Sequence, residues 1–223
     1  MADGCGVIRG IGAAVFDLDG TLFDSTRLWY DIDDRFLGAR GLAPTAEFRR
    51  EIAALGNLSA AAYAVKYYGL NETPEALAAE WSDMARAEYA ERIPLLPGVR
   101  EYLDGVKAEG IKMLAVTSLA RELAVSCLKN NGIFDMFDEV ITSDETGLGK
   151  NTPEIYLYAC GRAGIEPHCA VAFDDVAAAI ISAKRAGLCT VSVHSVKTES
   201  AAASEADFVV DGLWQAPRLV RVR

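Results

Sequence analysis

The stretch Ala13-Ala-Val-Phe-Asp-Leu-Asp-Gly-Thr-Leu22 decides the fold. Four apolar residues, an acid and then Gly20 spell a short buried strand that ends in a turn. Similar runs recur at Ile111–Thr117, Glu139–Thr142, Cys169–Phe173, Cys189–Val193 and Phe208–Val210. Helical patterns separate most of them, at Val99–Glu109, Ala120–Asn131, Thr152–Ala163 and Val176–Ala186. This alternation predicts an α/β fold, a doubly wound parallel sheet with helices on both faces.

Residues 25–94 break the rhythm. They hold no good strand but at least four helical patterns. In the clearest, Thr73 is an N-cap, Pro74 takes the first helical position, and Leu77, Trp81, Met84 and Glu88 follow at helical spacing. Pro94 and Pro97-Gly98 then close the segment as a linker would. The expected organisation is one α/β domain, 1–24 plus 95–223, carrying an inserted helical domain, 25–94.

At 223 residues the chain holds about one and a half typical domains. Its 32 acidic and 22 basic residues leave a net charge of −10. That balance argues against nucleic acid and against an anionic membrane surface as partners, because both require a basic footprint. No uncharged apolar stretch approaches a membrane span, and Met1–Phe16 does not resemble a signal peptide. Cys5, Cys127, Cys160, Cys169 and Cys189 are scattered without a Cys-x-x-Cys pair, which suits buried thiols in a reducing cytoplasm. Only His168 and His194 are available as histidines, too few for a His-rich metal centre.

The strand ends carry the candidate chemistry. Asp17 and Asp19 lie two apart, so they converge on one side of the strand end while Leu18 packs away. The later strands deliver Thr117 and Ser118, then Lys150 through Gly147-Leu-Gly149, then Asp174 and Asp175. Each has a bland explanation as a helix cap or a solvated charge. Their co-occurrence at the carboxyl ends of strands, where open α/β sheets bind ligands, points to one site.

Phe16-Asp-Leu-Asp-Gly-Thr-Leu22, Thr117, Gly149-Lys-Asn-Thr-Pro-Glu-Ile-Tyr156 and Phe173-Asp-Asp175 together resemble the motifs of the haloacid dehalogenase-like superfamily. The resemblance runs from Ala13 to about Asp211. Asn151 stands where the family commonly has proline, and Val176 where it commonly has serine. The helical insert is similar to that family's small cap. The resemblance implies an Mg²⁺-dependent phosphomonoester hydrolase acting on a small phosphorylated metabolite. It implies Asp17 as the nucleophile that forms an aspartyl-phosphate and Asp19 as general acid and base. Thr117, Ser118 and Lys150 would hold the phosphoryl group. Asp17, Asp19 (through its backbone carbonyl) and Asp175 would hold the metal, with Asp174 either ligating it as well or supporting the ligands from behind. A cytoplasmic monomer is expected.

The resemblance implies that the dehalogenases of that family lack an acid at the position of Asp19, which argues against halide displacement, and Lys66, the only lysine of 25–94, reads as surface charge. A β-phosphoglucomutase-like phosphomutase is the alternative, with a non-catalytic phosphate-binding protein behind it. A mutase needs a second phosphate site in its cap. The loop Leu55-Gly-Asn-Leu-Ser59 has no basic residue, and the segment is net acidic. Arg27, Arg49 and Arg50 could supply that site if one faced the cleft. Trp29, Asn57 and Ser59 are expected near the leaving group.

Overall fold

The computed structural model describes residues 6–193 and 205–221; Cys5 and His194 lie outside them. The strands are β1 (Val7–Ile11), β2 (Ala13–Phe16), β3 (Lys112–Thr117), β4 (Glu139–Thr142), β5 (Ala170–Asp174), β6 (Cys189–Val193), β7 (Phe208–Val210) and β8 (Arg218–Arg221). Six of them form one parallel sheet in the order β4-β3-β2-β5-β6-β7. The chain leaves β2 for β3 on one side and later places β5 on the other. This reversal makes the carboxyl end of β2 a topological switch point, where open sheets leave a crevice.

Period-two alternation assigns the two faces of β2. Ala13 and Val15 pack with Ile155 and Ala159 of α8 (Glu154–Ala163) and with Ala179 and Ala183 of α9 (Ala177–Arg185). Ala14 and Phe16 face the layer of α5 (Val99–Ala108) and α6 (Arg121–Asn130), which adds Leu103, Leu123 and Cys127. Phe16 stacks on Phe173 at 4.8 Å between centroids and meets Tyr102 and Phe137 edge-on at 6.4 and 6.2 Å.

Sequence reading takes Ala13 as the start of the first strand, but β1 precedes it and pairs in parallel with β8 as a separate two-stranded sheet. Gly10, at φ 81°, interrupts β1 between Arg9 and Ile11, where the register shifts. That irregularity hides the strand's alternation.

The insert comprises α1 (Thr26–Gly38), α2 (Ala46–Ile52), α3 (Asn57–Tyr68) and α4 (Pro74–Glu91). Thr73 caps α4 as expected, its hydroxyl accepting from the Ala76 N–H at 3.2 Å. The buried stripe of α4 differs from the expected one. It runs Leu77, Trp81, Ala85 and Tyr89, whereas Glu88 is turned out to pair with Arg92. The insert's entry and exit linkers pair with each other: Asp24 N–H donates to Pro94 O at 3.1 Å and Leu96 N–H to Leu22 O at 2.9 Å. α4 packs on α6, so the apolar core is continuous from the insert into the sheet.

Phe16 is the centre of the aromatic cluster that seats β2. Phe16→Ala is expected to cost about 3–5 kcal/mol, read as a lowered midpoint in urea denaturation with an unchanged slope.

Candidate active site

β2 and β5 are adjacent and in register, Phe16 opposite Phe173, and the Asp17 N–H donates to Phe173 O at 2.9 Å. This pairing brings the acids that follow β2 and end β5 to one place. Asp17, Asp174 and Asp175 each offer a carboxylate oxygen within 4.8 Å of the others, and all three are buried. Asp174 is further held by the Val176 N–H, which donates to Oδ1 at 2.9 Å.

Lys150 enters from the loop after α7 (Ser143–Thr146). Its ammonium lies 2.6 Å from Asp17 Oδ1 and 2.9 Å from Asp174 Oδ2, with only 2% of the residue exposed. Burial alone would drive this amine toward neutrality. The charges of Asp17 and Asp174 outweigh burial and hold its pKa well above the ordinary value. Burial pushes Asp174 up to about 7 despite Lys150, and the neighbouring charges of Asp17 and Asp175 add to the rise. Three carboxylates around one ammonium leave a shortage of positive charge. An all-oxygen, all-carboxylate cluster is the donor set a hard divalent cation such as Mg²⁺ prefers, so the residues fit that metal.

Gly20 makes the arrangement possible twice over. It adopts φ +83°, a conformation that L side chains resist. A Cβ there would also lie 2.3 Å from Asp175 Oδ2 and 2.8 Å from its Cγ.

Thr117 and Ser118 come from the end of β3, next to β2. Thr117 Oγ1 accepts from the Leu119 N–H at 3.1 Å, which leaves the hydroxyl proton to donate elsewhere. Ser118 Oγ is buried with no hydrogen-bond partner among the described residues. An orphaned buried hydroxyl at these strand ends suits an incoming hydrogen-bonding group.

Asp19 is differently placed. Its carboxylate lies outside the three-carboxylate group and engages the insert instead. Ser25 Oγ and Tyr89 OH each donate to Oδ1 at 2.5 Å, and Trp29 Nε1 donates to Oδ2 at 3.1 Å. Trp29 Nε1 also reaches Tyr89 OH at 2.7 Å. Burial, reinforced by the charge of Asp19, raises the Tyr89 phenol well above its usual pKa, so it remains a donor.

Of the three insert residues expected near the leaving group, the structure brings Trp29 to Asp19. Asn57 spends its amide inside the insert, donating to Ala78 O at 3.1 Å and Ser82 Oγ at 3.2 Å. Ser59 is exposed on α3. The turn between α2 and α3 meets the site through its backbone: Lys150 N–H donates to Ala54 O at 3.0 Å, and Leu58 N–H to Asp144 Oδ1 at 3.2 Å. The guanidinium of Arg49 is held by Asp33 at 3.3 Å and Asp34 at 2.8 Å, and Arg50 pairs with Glu51 at the surface. Arg27 is exposed. Tyr89, Ser25 and Asp144 are not singled out by sequence. For Tyr89 the available signal was its place in the Trp81-Ala85-Tyr89 stripe, where a phenol on a buried face requires a polar partner.

Residues 11–187 match the sequence model of the haloacid dehalogenase-like hydrolase family. The chain is similar to the validoxylamine A 7'-phosphate phosphatase of Streptomyces hygroscopicus subsp. limoneus, at 30% identity over 91% of this chain and 94% of that one. It is similar also to the phosphorylated carbohydrates phosphatase of Thermotoga maritima, at 27% identity over 79% and 82%. Among solved structures, CbbY of Rhodobacter sphaeroides shares the fold with a TM-score of 0.80 at 22% identity, covering 91% and 95%.

Removing the ammonium leaves buried carboxylates facing one another. Lys150→Met is therefore expected to destabilise the metal-free protein by about 3–5 kcal/mol in chemical denaturation. Mg²⁺ should raise the thermal midpoint of the unaltered protein, and Gly20→Ala or Asp175→Asn should abolish that rise.

Proposed function

The chain belongs to the haloacid dehalogenase-like hydrolases, and from that premise we propose that it is an Mg²⁺-dependent phosphomonoesterase acting on a small phosphorylated metabolite. One observation carries the reading: the Lys150 ammonium bridges Asp17 and Asp174 within a buried carboxylate cluster at the carboxyl ends of β2 and β5. A nucleophilic aspartate, a fixed cation and metal-binding acids are what transfer of a phosphoryl group to a carboxylate requires.

Asp17, Asp174 and Asp175, with the Asp19 backbone carbonyl, would hold the metal. When bound, the metal offsets the charge of the phosphate and screens it from the attacking carboxylate. Thr117, Ser118 and Lys150 grip the phosphoryl oxygens. A carboxylate oxygen of Asp17 bonds to phosphorus as the ester P–O bond breaks. Asp19 gives its proton to the departing oxygen. Asp19, now a carboxylate, takes a proton from water as that water attacks the aspartyl-phosphate. Inorganic phosphate leaves and Asp17 is regenerated.

Residues 25–94 act as a cap domain on a core of 1–24 plus 95–223, and opening at the paired linkers admits substrate. Hydrolysis is favoured over phosphomutase chemistry because Arg49 is neutralised by two aspartates and Arg50 by Glu51, so neither is poised for a second phosphate. Phosphatase names among the relatives point the same way, one for phosphorylated carbohydrates and one for validoxylamine A 7'-phosphate. No helix among the described residues is long and apolar enough to cross a membrane. With unpaired thiols at Cys127, Cys160, Cys169 and Cys189, a cytoplasmic protein is the fitting setting, and we take it to be a monomer.

The test is hydrolysis of p-nitrophenyl phosphate. Activity should need Mg²⁺, vanish with EDTA, return with added Mg²⁺, and fall by about a thousandfold or more in Asp17→Asn. Inactivity of the unaltered protein across a broad phosphate-ester panel would sink the proposal.

A further inference from the structure

The hydrogen bonds on Asp19 come from both ends of the insert. Ser25 and Trp29 stand at the start of α1, and Tyr89 in the last turns of α4. Between them and the sheet lie only the two linkers, which pair through Asp24 with Pro94 and Leu96 with Leu22. Asp19 therefore sits where the first and last helices of the insert meet the strand ends.

The contacts differ in what they constrain. Ser25 is only six residues from Asp19 along the chain, at the start of α1. Trp29 and Tyr89 hold the two carboxylate oxygens from two separate helices, and so fix the plane of the group relative to the insert. Their own hydrogen bond, Trp29 Nε1 to Tyr89 OH at 2.7 Å, ties the two donors into one chain, and such chains strengthen each member. Tyr89 is 0% exposed, so its hydroxyl has no water to turn to, and a buried hydroxyl demands a partner.

We propose that Tyr89 and Trp29 are positioning residues for Asp19, holding its carboxyl group in one orientation for proton transfer. The inference rests on the phosphatase reading given above and deepens it. Oδ1 takes two hydrogen bonds at 2.5 Å and Oδ2 a single longer one at 3.1 Å, so Oδ2 is the less tightly held of the two oxygens. In the proposed reaction the Asp19 proton passes to the ester oxygen as the P–O bond breaks, and the carboxylate recovers a proton from the attacking water. Tyr89 and Trp29 keep their own protons throughout and touch neither phosphorus nor metal.

A leaving group that needs no proton distinguishes this role from a structural one. p-Nitrophenolate departs unprotonated, whereas the benzyl alkoxide of benzyl phosphate requires an acid, and the two esters are similar in size. Tyr89→Phe is expected to lower kcat/KM for benzyl phosphate by about tenfold or more while lowering that for p-nitrophenyl phosphate by less than about threefold. In an Asp19→Asn background the same substitution should have no further effect on p-nitrophenyl phosphate hydrolysis, because Tyr89 acts through Asp19. Trp29→Phe, at a half-buried position, should reproduce the selective loss and carries the same test should Tyr89→Phe fail to fold. Equal losses on both esters, a gain in rate, or additive effects with Asp19→Asn would each overturn the inference while leaving the phosphatase reading intact. If the unaltered protein hydrolyses neither ester, the reading itself falls, and this inference with it.

Discussion

A single ammonium buried among three carboxylates is the constraint around which the rest of this structure is arranged. Any one of these groups, isolated away from water, would be costly to bury. Together they are tolerable because Lys150 reaches Asp17 and Asp174 at once. That reach requires β2 beside β5, a glycine where Asp175 needs room, and a loop after β4 that turns its lysine inward. The backbone N–H of the same lysine is met by Ala54 O from the α2–α3 turn, so the cluster is closed from above as well. The charge remains unbalanced, and burial leaves Asp174 with a pKa of about 7. This imbalance is the physical reason the cluster suits a divalent cation.

The insert meets the sheet at two places with different character. At its tip, backbone groups near Ala54 and Leu58 dock on Lys150 and Asp144. At its base, side chains from α1 and α4 converge on Asp19. The acids of the site are thereby divided in two. Asp17, Asp174 and Asp175 answer to the sheet, and Asp19 answers to the helices above it. Two carboxylates two residues apart thus have different surroundings, which is what the proposed division between nucleophile and proton carrier requires.

Much of this was legible in the chain. Apolar runs ending in Asp17, Thr117 and Asp174 are strands buried on both faces, and such strands declare themselves by composition. The cap of α4 was legible because Thr73-Pro74 is a local signal. β1 and β8 were not, since they stabilise each other across the whole length of the protein and Gly10 breaks the local pattern. The stripe on α4 was misjudged by one step because Met84 and Glu88 obey the same periodicity as Ala85 and Tyr89. Only packing against α1 and α6 distinguishes the two rows.

Residue types along the sequence determined which groups the protein has for chemistry: acids after two strands, a hydroxyl pair after a third, and a lysine after a fourth. They determined the strands of the main sheet as well, because runs of apolar, β-branched and aromatic residues are local properties of the chain. What only the tertiary structure decided is how the acids are shared. Asn57 is tied to α4, Trp29 to Asp19, and Tyr89, seventy residues away in sequence, reaches that carboxylate from the far end of the insert as closely as Ser25 does. Such pairings depend on the distance between helices, which no run of neighbouring residues encodes.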